Sequence, residues 1–313
     1  MHPIIMLIAS LCLQSPLFGQ FTYDHLVVDY ESAIQFENLS LIPVRGKPSF
    51  FEFANNQGDS ISQNWLPLQE AMARNLILIK DRAGVNTLIF DNLSDQPVML
   101  LSGEVIKGGK QDRIIGRDMI LPPNSRRNQV PVFCVEEKRW SSPKEWTYYH
   151  EGSMHLRRVV DQSQNQRQVW NEVEDELNKD GIPSKTKAYT SHSKNRQYRV
   201  REAKYLEALR LDSFPYPENI IGMIGVSGNV VIGCDLFASS ELFENEYNGL
   251  IFSYIDEAIT FGLPVSISPK ALYRYSDNLL TNERMQQAFI QQYGKVFTQD
   301  GKIIHITTFD EDR

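Results

Sequence analysis

The sequence predicts an α+β fold, and three observations carry that prediction. Short strand-like apolar runs dominate residues 26–135 and return after residue 220. Segments with apolar residues at helical spacing stand between and after them. No internal repeat and no Gly/Ser-rich linker divides the chain, so residues 20–313 read as one domain with a helical, charged middle segment at about 150–210. At 313 residues and 42% hydrophobic composition the chain can bury a sizeable core.

Residues 1–19 read as a signal peptide: an apolar stretch over 4–13 is followed by Ser15-Pro16 and the small Gly19. The stretch is too short to span a bilayer, which predicts no transmembrane span in the mature chain. Cleavage is expected before Gln20 or Phe21, giving a secreted or periplasmic protein. Lipid attachment at Cys12 is disfavoured because the preceding Leu11 is bulky.

In chain order, residues 26–30, 39–44, 76–79 and 87–90 read as strands, and 66–75 as a short helix with Pro67 in its first turn. Runs at 98–101, 114–115, 119–121 and 130–135 continue the β-rich half, with Lys107-Gly108-Gly109-Lys110 and Pro122-Pro123-Asn124-Ser125 as reversals. A helix is expected over 166–179, carrying Val169, Trp170, Val173 and Leu177 on one face and ended by Gly181-Ile182-Pro183. The basic segment 198–209 reads as a further helix with a solvated face. Strands at 220–226 and 230–234 are hinged by Ser227-Gly228-Asn229. Ser239 or Ser240 caps a long helix reaching about residue 261, and Asp235 reads as a bonding partner of the same helix amides. A helix over 282–293 precedes a last hairpin, 296–298 with 303–309, turned by Asp300-Gly301. The first and last hairpins are candidates for one shared sheet.

Specific chemistry concentrates between residues 100 and 140, where glycines, amides, both charge signs and a thiol lie among apolar strands. Gly103-Glu104, Gly109-Lys110-Gln111 with Arg113, the two prolines, and Cys134-Val135-Glu136 with Arg139-Trp140 resemble the ARG and rhodanese-phosphatase-superfamily-associated protein domain family, ARG standing for ADP-ribosylglycohydrolase. The resemblance continues through residues 65–71, 169–173, 222–237 and 301–309. It implies a setting in NAD-derived or ADP-ribose metabolism and supplies no activity. The residue before the arginine, usually asparagine in the family, is Asp112 here, which changes any site that needs an amide donor at that point.

The residues themselves define a candidate ligand site of Glu104, Lys110, Gln111, Arg113, Glu136, Arg139 and Trp140, gathered around one turn. Glu104 and Glu136 are the best paired carboxylates and the candidate acid and base. The glycine-rich turn is no nucleotide triphosphate loop, because Gln111 replaces the magnesium-binding serine or threonine and a strand follows instead of a helix. Backbone amides beside Lys110 and Arg113 still suit an anion. Trp140, Trp146, Tyr148 and Tyr149 form an aromatic group that stacks a ligand or covers a sheet end.

Cys134 and Cys234, the two thiols of the mature chain, lie in apolar runs and read as buried and unpaired. No Cys or His spacing calls for a metal, and no cofactor is indicated. A net charge of −7 argues against nucleic-acid binding. The resulting expectation is an exported domain binding an anionic small molecule, ADP-ribose or NAD-derived by the resemblance. Two alternatives stay open: a hydrolase-like enzyme using Glu104 and Glu136, and a non-catalytic envelope interaction module. Nothing in the sequence sets an oligomeric state.

Overall fold

Alternation along a strand decides which of two cores each residue enters. The computed structural model describes residues 18–56, 65–81, 84, 86–139 and 144–309. The larger sheet joins β1 (Leu26–Val28), β2 (Ile34–Phe36) and β3 (Leu39–Gly46) to four strands from the far end of the chain. These are β13 (Ile220–Ser227), β14 (Val230–Phe237), β15 (Gly294–Gln299) and β16 (Lys302–Phe309), in the order β1-β3-β13-β14-β16-β15 with β2 on β3. Every pairing in it is antiparallel, and the first and last strands do share one sheet.

The second sheet runs in the order β12-β8-β9-β11-β6-β5 and curls into a nearly closed barrel. Its strands are β5 (Ile77–Lys80), β6 (Thr87–Asn92), β8 (Glu104–Gly109), β9 (Arg113–Ile115), β11 (Asn128–Cys134) and β12 (Lys144–Glu151). A three-stranded sheet, β10-β7-β4, is built from β4 (Leu66–Pro67), β7 (Val98–Leu100) and β10 (Met119–Leu121). Ile106, Ile115 and Val132 point into the barrel core with Ile79, Leu88 and Phe90. Their neighbours Val105, Ile114 and Phe133 point the other way, into the main core shared with the large sheet.

Helices fill the space around the sheets. After α1 (Pro48–Asn56), α2 (Leu68–Ala73) is shorter than expected, because Leu66 and Pro67 extend into a parallel pairing with β7. α4 (Gln166–Lys179) occupies its predicted span, with Asn165 capping it. α5 (Arg196–Ala208) begins at the cap Asn195. α6 (Ser240–Thr260) packs on β13 and β14 and is buried on nearly every side, with Ser239 accepting the N–H of Leu242. α8 (Glu283–Tyr293) occupies the span expected from the sequence, with Asn282 as its cap. Three helices lie outside the sequence reading, α1, α3 (Met154–Ser163) and α7 (Pro269–Leu280).

The strand at 98–101 and the strand at 114–115 do not form the expected hairpin. Gly103, at φ +105°, turns the chain after β7, and a separate strand, β8, makes the hairpin with β9. β7 pairs with β10 and β4 instead.

Candidate functional site

The β8–β9 turn owes its shape to two glycines. Gly108 and Gly109 sit at φ +144° and +46°. A Cβ on Gly109 would lie 2.2 Å from Cζ2 of Trp146, so only glycine lets the indole cover the turn. β12 crosses alongside, with Lys144 opposite Gly109.

Below the turn, Asp112, Glu136 and Arg139 form a clasp. The Arg139 guanidinium donates from Nε to Glu136 (2.5 Å), from Nη1 to the Gly109 carbonyl (2.9 Å) and from Nη2 to Asp112 (2.8 Å) and the Gly108 carbonyl (2.9 Å). Asp112 also accepts the Gly108 N–H at 3.0 Å and the Thr190 hydroxyl at 2.7 Å. Glu136 accepts the Asp112 N–H at 3.2 Å. Arg139 is thus neutralised and four of its five donors are occupied. The aspartate at position 112 supplies a charge to this clasp that an asparagine would not.

Gln111 is buried and donates to the Glu136 carbonyl at 2.8 Å, while Cys134 donates its S–H to Gln111 Oε1 at 3.2 Å. Lys110 is exposed and does not join the group; its backbone N–H lies 3.4 Å from Asp81. Beside the clasp opens a cleft of about 150 Å³ lined by Lys107, Lys144, Glu145, Thr147, Thr190 and Lys194 as well as the clasp residues. None of the three lysines has a carboxylate within ion-pair distance among the described residues. Lys107 instead lies 5.7 Å from the Tyr149 ring centre.

Arg113 departs from the sequence expectation, which placed it at the surface beside Lys110. It is 1% exposed, on the barrel-facing side of β9, opposite Ile106 and Cys134. Nη1 donates to the Gln111 carbonyl at 3.0 Å and more weakly to Gln111 Oε1 and the Asp112 carbonyl, both at 3.4 Å. Nε is buried without a partner.

Glu104 lies apart from the turn. It starts β8, four residues before Gly108, which at about 3.3 Å per residue is roughly 13 Å along the strand. Paired acid–base carboxylates stand about 5–9.5 Å apart, so Glu104 and Glu136 do not assemble as an acid and base. Glu104 faces Glu151 across the β8–β12 ladder and accepts the Leu101 N–H at 2.8 Å. Burial, then the carboxyls of Glu246 and Glu151, raise its pKa well above the ordinary range.

Glu104 belongs to an interior network that sequence reasoning missed. Arg157 makes a two-pronged contact with Asp235 at 2.8 and 3.1 Å, and its Nε stands 3.2 Å from Glu151 at an angle unsuited to a hydrogen bond. His305 bridges Asp118 at 2.7 Å and Asp235 at 2.9 Å, and Tyr254 donates to Asp235 at 2.6 Å. Asp235 is therefore no helix cap; Ser239 has that role. The available signals were Asp235 and His305, each a lone charge inside an apolar strand.

β12 also separates the expected aromatic group. Trp146 and Tyr148 pack on the barrel core, while Tyr149 packs with the main core and against His150, ring centres 3.8 Å apart. Trp140 lies outside the described residues. Cys134 and Cys234 are buried and free as expected, with burial pushing the Cys134 thiol up to about 11.

Neither a curated protein nor a solved structure matches the chain. One family model does, over residues 27–309, which takes in both sheets, the clasp, the cleft and Arg113. The chain belongs to the ARG and Rhodanese-Phosphatase-superfamily-associated Protein domain family.

Proposed function

We propose that the cleft beside the Gly108–Gly109 turn binds a small phosphate-bearing anion. One observation carries this reading: Lys107, Lys144 and Lys194 converge on the cleft without a carboxylate partner, in a chain whose net charge is −7. Elsewhere, Lys80, Lys187 and Lys295 each have a carboxylate at 2.9 Å or less. Among the described residues, Glu145 is the one carboxylate of the cleft wall outside the clasp, against three lysines, so like charges repel one another there and a bound anion relieves that repulsion. Thr147 and Thr190 line the same wall, but their hydroxyls donate to the Lys107 carbonyl and to Asp112, so the lysines carry the binding.

Size narrows the ligand. A cleft of about 150 Å³ takes a phosphate or the end of a diphosphate, whereas a whole drug-sized ligand fills about 300–1,000 Å³. ADP-ribose, the compound that the ARG of the family's name brings forward, would place its diphosphate among the lysines and leave its nucleoside outside. Isothermal titration with inorganic phosphate and with ADP-ribose tests the proposal. Both should bind, ADP-ribose more tightly, with affinity falling as salt rises and lost in the K107A/K144A/K194A variant. Failure of both to bind at millimolar concentration would remove the site; binding of phosphate alone would remove ADP-ribose.

A further inference from the structure

Between the end of α5 and the side of α6 lies a cavity of about 580 Å³ that shares no residue with the lysine cleft. Small-molecule sites occupy about 300–1,000 Å³, so its size suits one ligand. Leu206 and Leu209 at the end of α5, Leu211 in the turn that follows and Ile251 on α6 give it an apolar wall. Tyr247 stands among them with its hydroxyl already occupied, donating to the Leu209 carbonyl at 2.6 Å. That bond ties α6 to the end of α5 and leaves the ring as one more apolar surface.

Charge around this cavity has one sign. Among the described residues, Arg210 is the one cation in the wall, and it donates to Asp212 from Nε at 2.9 Å and from Nη2 at 2.5 Å, so the two neutralise each other. Glu218 and Glu244 line the same cavity, and neither carboxylate has a hydrogen-bond or ion-pair partner among the described residues. The C-terminal end of α5 adds the partial negative charge of its last carbonyls. A cation is favoured here and an anion opposed. Glu244 and Ile251 stand seven residues apart on α6, two turns along one face, which at 1.5 Å per residue is roughly 10 Å.

We infer that the cavity between α5 and α6 binds an apolar amine, with its ammonium at Glu218 and Glu244 and its hydrocarbon body laid along α6 towards Ile251. An extended chain of eight carbons matches the length of that stretch. The two parts of the ligand do different work. Glu218 and Glu244 are exposed, and ion pairs in water are weak, so a bare inorganic cation gains little there. Removing the hydrocarbon from water against the leucines, Tyr247 and Ile251 supplies most of the affinity, and the carboxylates select the charge.

Octylammonium chloride is the probe, kept below its micelle-forming concentration, with octan-1-ol and octanoate as controls, titrated into the full chain by calorimetry. One octylammonium per chain should bind, octan-1-ol about tenfold more weakly and octanoate more weakly still. E218Q/E244Q, which changes two exposed side chains, should bring octylammonium down to the affinity of octan-1-ol and leave octan-1-ol itself unchanged. Leu206→Trp, which fills the cavity from a half-buried position, should abolish binding of both. K107A/K144A/K194A should bind octylammonium as the wild type does, because none of the three lysines lines this cavity. No binding at millimolar octylammonium, equal affinity for octan-1-ol, wild-type affinity in E218Q/E244Q or in Leu206→Trp, or several sites per chain that no variant alters would overturn the inference.

Discussion

Raising the pH from 5 to 9 should destabilise the protein, because the interior network holds protons that the unfolded chain releases. Burial raises Glu151 from 4.5 to about 7, with Asp235 adding to the effect and Arg157 opposing it. Burial alone would lower His305, but Asp118 and Asp235 outweigh it and raise the imidazole from 6.5 to about 9. In both cases the folded state binds the proton more tightly, so the contribution is complete below the unfolded value and lost as pH rises through the folded one. The windows are therefore about 4.5 to 7 for Glu151 and 6.5 to 9 for His305. Each spans 2.5 pH units, which at about 1.4 kcal/mol per unit is worth about 3 kcal/mol. Asp235 behaves oppositely: Arg157 and His305 hold it well below the usual carboxylate range, so its contribution is lost only in strong acid. Urea unfolding followed by tryptophan fluorescence at pH 5, 6, 7, 8 and 9 should show a fall of several kcal/mol at constant m-value. In Glu151→Gln the fall between pH 5 and 7 should become shallower, the remainder coming from Glu104 and Glu246, which burial also raises, while that between 7 and 9 is unchanged. A stability that is flat or rises from pH 5 to 9, or a Glu151→Gln variant with the wild-type profile, would refute the reasoning.

Arg157→Leu should cost about 3–5 kcal/mol, because it leaves Asp235 and Glu151 buried without their cation; a melting temperature within a few degrees of wild type would contradict this. Cys134 and Cys234 should resist alkylation in the native protein and both react in urea without added reductant, since both are free and buried. We propose that the chain is exported, and N-terminal sequencing from the native host should then begin near Gln20 or Phe21; a protein still starting at Met1 in the secreted or periplasmic fraction would count against cleavage.

Regular patterns made much of the fold legible. The stripe of Val169, Val173 and Leu177 located α4, the cap Ser239 located the start of α6, and Gly228 and Gly301 marked two hairpin turns. What escaped were elements whose pattern is broken by buried polarity. α3 carries Arg157 on its inner face, which interrupts the apolar stripe. β12 is an edge strand mixing exposed and buried residues, so its aromatic residues read as a surface group. In the site, Gln111 was found because it lies in the turn, and Glu136 and Arg139 because the strand that follows the two prolines returns them beside it. Thr190 was not, since only the tertiary fold brings it to Asp112. Glu104 was misplaced because four strand residues stand between it and Gly109, and a sequence window does not distinguish the two ends of a hairpin.

The clasp and the interior network are joined through α6. A helix buried on nearly every side gains little orientation from apolar packing alone, because one apolar face resembles another. Here polar contacts fix its rotation: Ser253 donates to Glu151, Tyr254 to Asp235, and Asp256 receives the hydroxyls of Tyr189 and Tyr198 at 2.6 and 2.8 Å. Each partner lies on a different element, so a slip of one residue along the helix would break all of these bonds together. Tyr189 then extends the constraint to the cleft. Its hydroxyl is held by Asp256, its backbone N–H donates to the Val135 carbonyl at 2.9 Å, and the next residue, Thr190, donates to Asp112 beneath the glycine turn. The side wall of the proposed phosphate cleft is thus positioned by a buried carboxylate in the central helix.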